Sequence, residues 1–329
     1  MANPWKGKSV LITGAGGFIG SHLTEQLAKH GARARAMVHY NALGSAGWLD
    51  ISPLRDKINV FAGDIADRDS VRQAMKGAEV VFHLAALIAI PYSYQAPLSY
   101  VRTNVEGTLN VLQAAREFGV RRVVHTSTSE VYGTARYVPM DEEHPLQGQS
   151  PYSASKIAAD KMVEAFHRSY GVPVVTVRPF NTFGPRQSAR AVIPTIITQG
   201  LAGKKVLLGS LSPTRDLNYV SDTVAGFLAA AVAPAALGTT INLGSGLETS
   251  IGDLAQIIAR LLGKPIKVVS EKQRWRPEKS EVERLLANPE RATTLLHWKP
   301  AVSLEEGLKR TIAWMKENLS RYRPHVYTV

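Results

Sequence analysis

A tyrosine and a lysine four residues apart are the first candidates for catalysis in this sequence. Tyr152 and Lys156 stand at the start of an amphipathic stretch, and their spacing puts both side chains on one face of a helix. A phenol with an ordinary pKa of about 10 acts as a base near neutral pH only after a shift of roughly 3 units, worth roughly 4 kcal/mol. A nearby cation such as Lys156 can supply part of that shift.

A polar segment that follows an apolar, β-branched run is the second candidate. Residues 126–133 read Thr-Ser-Thr-Ser-Glu-Val-Tyr-Gly, and the run before them is typical of a fifth buried strand. Doubly wound sheets bind ligands at the carboxyl ends of their strands. The segment therefore belongs at the edge of the sheet where catalysis is expected. Together with the Tyr152/Lys156 pair, it indicates a catalytic site far more specifically than the tyrosine–lysine spacing does by itself.

A glycine-rich turn follows the first strand. Residues 13–20 read Thr-Gly-Ala-Gly-Gly-Phe-Ile-Gly and lead into a helical pattern. Gly14 allows the tight turn, Gly17 lets a pyrophosphate approach the backbone, and Gly20 permits close packing of helix on sheet. The helix N-terminus adds a positive dipole. The turn therefore predicts a dinucleotide site, and the positive ring of a nicotinamide would be a second charge to lower the pKa of Tyr152.

The second strand does not end in the carboxylate that often binds the adenosine ribose. Met37, Val38, His39, Tyr40 and Asn41 stand there instead. His39 can accept a hydrogen bond from a ribose hydroxyl or, when protonated, face a 2′-phosphate, and it can equally be a histidine of a solvated loop. Asp64 can accept a bond from the adenine amino group, or it can cap a turn or helix. The choice between NAD and NADP stays open at this stage.

Strand-like and helix-like patterns alternate through the first half of the chain, which predicts a doubly wound parallel sheet of the Rossmann type in the α/β class. The predicted strands are 9–13, 34–38, 58–61, 79–84, 122–127 and 174–178, and the predicted helices are 18–30, 70–75, 101–118 and 153–170. After Pro179 frequent prolines shorten the elements, which indicates a smaller α/β domain that is discontinuous in sequence. We predict a dinucleotide domain of 1–180 plus 214–243 and a substrate domain of 181–213 plus 244–329.

Composition excludes several classes of protein. The 329 residues are 45% hydrophobic and carry a formal charge of +12, which is typical of a soluble globular protein. The absence of cysteine excludes disulfides, thiolate metal sites and a thiol nucleophile. We expect no metal, no membrane span, no signal peptide and a cytoplasmic location. Basic residues are spread along the chain without a nucleic-acid-binding motif, so we expect no nucleic acid. The positive charge indicates either a basic surface or a site for an acidic small substrate.

The combined motifs resemble the extended short-chain dehydrogenase/reductase family across essentially the whole chain. The motifs are residues 13–20, His83-Leu84-Ala85-Ala86, Asn104, residues 127–133, Tyr152 with Lys156, and residues 178–186. Within the family, Thr128-Ser129-Glu130 is similar to sugar-nucleotide 4,6-dehydratases and UDP-glucuronate decarboxylases. Residues 38–41, 47–50, 212–219 and 276–282 most resemble configuration-retaining UDP-N-acetylglucosamine 4,6-dehydratases of legionaminic acid pathways.

This resemblance implies oxidation of a nucleotide sugar at C4, loss of water across C5 and C6, and return of the hydride to C6. Tyr152 would take the proton of the C4 hydroxyl, Thr128 would bind the 4-oxygen, and Glu130 would remove the C5 proton. Many dTDP-glucose dehydratases carry an aspartic acid at the position of Ser129. The serine found here is similar to that of GDP-mannose dehydratases. Either Glu130 is then both base and acid, or a water held by Ser129 assists. With Lys156, these residues form the predicted catalytic set.

The resemblance also assigns binding residues and an assembly. The implied cofactor, NAD with NADP as the alternative, would contact Gly14, Gly17, Phe18, Ile19, His39, Asp64, Ile65, Leu84, Ala85, Ala86, Tyr152 and Lys156. The implied substrate contacts are Asn181, Arg190, Arg215, Arg276 and Glu278, where the guanidinium groups suit a diphosphate and Glu278 suits ribose hydroxyls. The family implies a homodimer through a four-helix bundle.

Three functions remain open from the sequence. The first is the 4,6-dehydratase, and the second is a UDP-glucuronate decarboxylase or a UDP-sugar 4-epimerase. The third is a dinucleotide-binding regulator without catalysis, which the joint presence of Thr128, Glu130, Tyr152 and Lys156 disfavours. The identity of the sugar and of the base is not fixed.

Overall fold

The computed structural model of the protein describes residues 3–203, 205–324 and 326–327. Its strands are β1 (Ser9–Thr13), β2 (Arg33–His39), β3 (Asn59–Gly63), β4 (Val80–His83), β5 (Arg122–Thr126), β6 (Val174–Pro179), β7 (Asn181–Phe183), β8 (Lys205–Leu208), β9 (Thr214–Tyr219), β10 (Thr240–Leu243), β11 (Glu248–Ser250), β12 (Lys267–Ser270) and β13 (Arg284–Leu285).

The helices are α1 (Phe18–Lys29), α2 (Arg68–Met75), α3 (Ile90–Gln95), α4 (Pro97–Tyr100), α5 (Gly107–Glu117), α6 (Pro151–Tyr170), α7 (Val192–Ala202), α8 (Val220–Val232), α9 (Ile251–Leu262), α10 (Glu290–Leu296) and α11 (Leu304–Glu317). None of the helices in the described part of the chain is both long and apolar enough to cross a membrane.

Seven parallel strands form the main sheet in the order β10-β6-β5-β4-β1-β2-β3. The chain runs outward from β1 in one direction and then returns to build the other side from β4, so the strand order reverses between β1 and β4. Ligands bind at such a reversal point, beyond the carboxyl ends of the strands. The predicted doubly wound α/β fold is confirmed, and each predicted strand and helix of the first half lies within a few residues of its expected place.

Helices cover both faces of this sheet because its strands are apolar on both sides. Leu23 of α1 and Phe227 of α8 are buried in the core on one face. Val71 of α2, Val111 of α5 and Val163 of α6 are buried in the core on the other. Burial on both faces explains why the strand sequences lack polar alternation.

A smaller group of strands lies beyond the main sheet. Strands β11, β9 and β13 are neighbours, β7 also pairs with β9, and β8 pairs with β12. Helix α8 and strand β10 return to the main sheet, as expected of a discontinuous chain path. Residues 214–219, which the predicted dinucleotide domain includes, form β9 of the smaller sheet, and α8 follows from Val220. The division into two domains stays a prediction.

Candidate active site

The glycine-rich turn between β1 and α1 forms an open cradle of backbone. Gly14 has a left-handed φ of 69°, and a Cβ there would lie 2.7 Å from the Ala85 nitrogen. Gly20 packs so closely on the Gly14 carbonyl that a side chain would clash with it. Helix α1 begins at Phe18, and its N-cap Gly17 has no side chain to occupy the first N–H groups. These N–H groups and the helix dipole suit a diphosphate.

A cavity of about 330 Å³ adjoins this turn at the carboxyl ends of the strands. Its wall includes six of the predicted cofactor contacts, Gly14, His39, Asp64, Ile65, Ala85 and Ala86. Leu84 directly precedes Ala85, and Phe18 and Ile19 form the start of α1. The wall also includes Met37, Val38, Gly63, Leu87 and Thr103, which the sequence did not single out. Apolar residues at strand ends are usually part of the hydrophobic core, so the sequence pattern did not identify most of these residues as cofactor contacts. The cavity and the adjoining backbone cradle fit a dinucleotide.

The two open assignments at this cavity differ in their surroundings. His39 is exposed at the end of β2, so its imidazole is free to meet either a ribose hydroxyl or solvent. Asp64 follows β3, and its Oδ1 accepts a hydrogen bond from the Ala66 backbone at 2.9 Å. Asp64 therefore stabilises a turn while standing on the cavity wall, and the two interpretations of this residue are compatible.

A loop after β2 closes over the glycine-rich turn. The Trp48 backbone donates a hydrogen bond to the Gly16 carbonyl at 2.9 Å. A Cβ at Gly16 would lie 2.5 Å from the Ala46 carbonyl, so the close approach requires glycine. The Trp48 indole packs edge-on against Trp314 of α11, with ring centroids 5.4 Å apart. The loop and the last helix thus hold the turn from outside, a contact that spacing in the sequence does not predict.

Tyr152 lies at the start of α6 with its ring 6% exposed. The helix begins with a capping box in which the Ser150 and Ser153 side chains bond each other's backbone N–H, which fixes the first turn. Burial raises the pKa of the Tyr152 phenol above its ordinary value and the charge of Glu130 adds to this, while Thr128 and the charge of Arg190 act to lower it. Arg190 is therefore a cation near Tyr152 that sequence reasoning listed only as a substrate contact.

Lys156 lies one turn further along α6 and is buried. Its Nζ donates to the Thr126 carbonyl at the end of β5 over 2.6 Å. Burial lowers the pKa of Lys156 to about 8, although the negative charge of Asp160 acts to raise it. The lysine thus changes its charge within a physiological range of pH.

The expected helix over 101–118 begins with a π-helical turn, Val101–Glu106, before α5 starts at Gly107. Asn104 stands in this turn and is buried. Its Nδ2 donates to Ser155 of α6 and to the Leu87 carbonyl, each at 2.9 Å, and its Oδ1 accepts from the Leu87 N–H. The π turn thereby fastens the cavity wall to α6, and such turns are frequent at functional sites.

Glu130 lies on a short 3₁₀ turn, Ser129–Tyr132, directly after β5. Thr128 is the N-cap of this turn and accepts from the Glu130 N–H at 3.2 Å. Glu130 is 9% exposed, and its Oε2 lies 3.5 Å from Nη1 of Arg276. Ser129 is buried beside it. One turn therefore supplies the three polar residues predicted after the fifth strand.

Arg215 and Arg276 converge on Glu281. Nη2 of Arg215 lies 3.4 Å from Oε1 of Glu281, and Nη1 of Arg276 lies 3.7 Å from the same oxygen. Burial lowers the pKa of Arg215. Burial also acts to lower the pKa of Arg276, but Glu130 and Glu281 together raise it. The two predicted diphosphate contacts thus lie in one cluster with Glu130, and Glu281 is a member that the sequence did not reveal.

The remaining predicted substrate contacts are spread around this cleft. Asn181 begins β7, and its buried Oδ1 has no hydrogen-bond partner among the described residues. Burial lowers the pKa of Arg190, whose charge lies near Tyr152 and Tyr100. Glu278 is exposed on a short turn after Arg276. It is Glu281 rather than Glu278 that pairs with the arginines in this structure.

A buried polar network lies behind the catalytic helix. Asp160, one turn beyond Lys156, accepts hydrogen bonds from His125 at 3.1 Å, Ser127 at 2.7 Å and Arg178 at 3.0 Å. Burial acts to raise the pKa of Asp160, but His125, Arg178 and Lys156 lower it to about 2. The network joins β5, β6 and α6 beneath the site. Sequence reasoning missed it because its members lie far apart in the chain.

Comparisons with known proteins agree with this geometry. A family model described as GDP-mannose 4,6 dehydratase matches residues 11–311. The solved epimerase Mth375 of Methanothermobacter thermautotrophicus is 35% identical, with a TM-score of 0.89 over 97% of this chain and 95% of that one. DesIV, a dTDP-glucose 4,6-dehydratase of Streptomyces venezuelae solved with NAD bound, is 30% identical, with a TM-score of 0.86 over 96% and 99% of the two chains.

A third solved structure carries a UDP ligand. UDP-N-acetylglucosamine 4-epimerase of Methanobrevibacter ruminantium, in complex with UDP-N-acetylmuramic acid, is 30% identical, with a TM-score of 0.86 over 95% of this chain and 99% of that one. Both dehydratases and epimerases are thus similar to this chain over nearly its full length. The chain belongs to the GDP-mannose 4,6-dehydratase family of extended short-chain dehydrogenases/reductases, whose members act on nucleotide sugars.

Proposed function

We propose that the protein is an NAD-dependent nucleotide-sugar 4,6-dehydratase that acts on UDP-N-acetylglucosamine. The observation that carries the proposal is the buried carboxylate of Glu130 on a turn capped by Thr128, a residue that acts to lower the pKa of the Tyr152 phenol. Inversion at C4 needs a base only for the C4 hydroxyl. Elimination of water across C5 and C6 needs a second base for the C5 hydrogen, and Glu130 supplies one.

The first step is oxidation at C4. Tyr152 takes the proton of the C4 hydroxyl and Thr128 holds the 4-oxygen. Burial and the charge of Glu130 raise the pKa of Tyr152, and the charge of Arg190 opposes them, so the bound cofactor would have to supply further positive charge. Bound NAD supplies a hydride acceptor for C4 and a hydride donor for C6. Lys156, anchored on the Thr126 carbonyl, is placed to bind the nicotinamide ribose as the family resemblance implies.

The second step is elimination. The C4 ketone acidifies the C5 hydrogen, Glu130 removes it as a proton, and the C6 hydroxyl leaves as water after taking a proton. C6 then receives the hydride and C5 regains a proton, so that no oxidant is consumed. Glu130 delivers the proton to the leaving hydroxyl itself, or a water held by Ser129 does so.

The substrate is held through its diphosphate. Arg215 and Arg276 present two guanidinium groups at the cleft that contains Glu130, and such groups bind phosphate oxygens in pairs. The unpartnered Oδ1 of Asn181 suits a donor on the sugar. Glu278, exposed on the same loop as Arg276, is free to accept from ribose hydroxyls.

The cofactor is NAD. DesIV, which is similar over nearly the whole chain, holds this dinucleotide. The residues that line the cavity fit it, and the presence of His39 on the cavity wall supports a role beside the ribose. Because the hydride returns to the substrate, the protein should convert it without added oxidant and without accumulation of reduced nicotinamide.

A second candidate function follows from the position of Arg276. Its guanidinium beside Glu130 suits the C6 carboxylate of a uronic acid, which favours UDP-glucuronate as the alternative substrate of a decarboxylase or a 4-epimerase. The two functions predict different products from the same cleft, so a single assay separates them.

The discriminating experiment is incubation with UDP-N-acetylglucosamine, UDP-glucuronate and UDP-glucose in D₂O, followed by NMR. A dehydratase yields a 4-keto-6-deoxy sugar with deuterium at C5. A 4-epimerase yields the C4 epimer without deuterium, and a decarboxylase yields a pentose from UDP-glucuronate only. The latter two products would refute the proposal, and no turnover of any sugar would favour a non-catalytic regulator.

We also propose a homodimer. Two apolar residues on this side of the protein are exposed: Leu98 of α4 to 59% and Val101 of the π turn to 50%. Pairing of α5 and α6 with those of a second copy in a four-helix bundle would cover this surface. Sedimentation analysis tests it, and a monomer at micromolar concentration would contradict it.

A further inference from the structure

The cluster around Glu130 contains four charges that cancel. Glu130 and Glu281 contribute two negative charges, and Arg215 and Arg276 contribute two positive ones. Arg276 bridges the two carboxylates. The base proposed for C5 is therefore ion-paired in the structure, although proton removal from a sugar needs a carboxylate that is free to accept.

We propose that the ion pair between Arg276 and Glu130 is a latch that the substrate diphosphate opens, and that Glu281 is the positioning residue that holds Arg276 away from Glu130 once it is open. The inference rests on the proposed function for the diphosphate subsite at Arg215 and Arg276 and for its kinetic consequence. It adds to that function a reason why the base acts after a nucleotide diphosphate has bound.

Arg215 and Arg276 differ in how firmly their side chains are held, and this difference indicates which side chain moves. Arg215 lies within strand β9 with its side chain 8% exposed, and its Nη1 donates to the Thr214 carbonyl at 2.9 Å. Arg276 lies outside the strands and helices on a stretch whose neighbours Trp275 and Pro277 are exposed, and its side chain is 23% exposed. Arg215 is thus a fixed anchor, whereas Arg276 can change partner.

The residues that follow Arg276 in the chain are held in place by hydrogen bonds at Ser280 and Glu281. The Ser280 hydroxyl bonds with the Gln149 carbonyl and with the Tyr94 hydroxyl, and Gln149 Nε2 donates to the Glu281 carbonyl at 3.3 Å. These bonds hold Glu281 next to Arg215 while Arg276, four residues before Ser280, stays free to rotate. Glu281 is therefore a stationary acceptor near the moving guanidinium.

The contacts of Arg276 are weak enough to exchange. Its Nη1 lies 3.5 Å from Glu130 and 3.7 Å from Glu281, whereas charge-assisted hydrogen bonds are usually about 2.7–2.9 Å long. A diphosphate offers the arginine shorter bonds and two negative charges. Once Arg276 and Arg215 bind it, the charge of Glu130 is no longer compensated and its oxygens face the sugar.

Crystal structures with UDP and with uridine test the latch without reference to activity. We expect the distance from Arg276 Nη1 to Glu130 Oε2 to exceed about 5 Å with UDP, and to stay within the 4 Å limit of an ion pair with uridine. An ion pair retained in the UDP complex overturns the proposal. Because the comparison involves no turnover, it also judges the latch if the protein proves to be an epimerase.

A kinetic test addresses Glu281. In Glu281→Gln, Arg276 loses its second negatively charged partner and stays longer on Glu130. The rate of C5 exchange with solvent relative to C4 oxidation should therefore fall roughly tenfold, with a smaller change in KM. Glu117→Gln, which breaks an exposed pair with Arg72 away from the site, is the matched control and should keep the ratio. Equal loss of both steps in Glu281→Gln indicates a merely structural role and overturns the assignment.

Discussion

Replacing Asp160 by Asn tests whether the buried network behind the catalytic helix supports both the fold and Lys156. The change keeps the size of the side chain but removes the charge that accepts from His125, Ser127 and Arg178. The Arg178 side chain is only 6% exposed, so it would be left as a buried cation without a carboxylate. Breaking one half of such a pair costs about 3–5 kcal/mol, and we expect unfolding free energy to fall by that amount.

The dependence on pH gives a second measure of the same change. The pKa of Asp160 is about 2 in the folded protein against 3.8 for an ordinary aspartate, so its carboxylate stabilises the fold above about pH 4. That contribution, roughly 2 kcal/mol, is lost as the pH falls toward 2. The stability of Asp160→Asn should lack this component of the acid sensitivity. Loss of the Asp160 charge should also lower the pKa of Lys156 further below about 8, because that charge acts to raise it.

The assay is urea unfolding followed by circular dichroism at several pH values, together with the pH profile of kcat. Glu164→Gln is the matched control, because Glu164 lies one turn further along α6 and pairs with Lys161 and Arg168 at the surface. Exposed pairs of this kind contribute about 0–1 kcal/mol. If Asp160→Asn costs no more than Glu164→Gln, or if the basic limb of the kcat profile does not move to lower pH, the reasoning is refuted.

Three further predictions concern the chemistry. Glu130→Gln should keep the fold and bind cofactor but lose dehydration by about 10²–10⁴-fold, as expected for a general base; turnover at the wild-type rate would contradict this. Tyr152→Phe should abolish hydride transfer from C4 with little change in nucleotide-sugar affinity, and normal absorbance of reduced cofactor in a single turnover would rule the role out. His39→Asp should strengthen the preference for NAD by adding an acceptor for the ribose 2′-hydroxyl. Titration of both dinucleotides checks this, and an unchanged ratio would show that residue 39 does not face the ribose.

The sequence predicted what depends on local patterns. Apolar runs without alternating polar residues identified the parallel strands, and the spacing of the glycines located the turn at Gly14. The cluster of Glu281 with Arg215 and Arg276 could not be predicted, because 66 residues separate Glu281 from Arg215 and no periodicity links them. The sheet that β9 joins could not be predicted for a related reason: β9 is as buried as a strand of the main sheet, and burial alone does not show which sheet a strand joins.

Packing between Trp48 and Trp314 bears on how long the protein keeps its cofactor. An enzyme that returns its hydride in every cycle has no need to exchange the dinucleotide, so slow release carries no penalty in turnover. The loop bonded to Gly16 holds the turn from outside, and moving it away separates two indole rings. We therefore expect the residence time to depend on an aromatic contact made by the last helix, outside the nucleotide cavity. A protein built this way is expected to emerge from purification already loaded, and its tryptophan fluorescence should report the slow departure of the nucleotide.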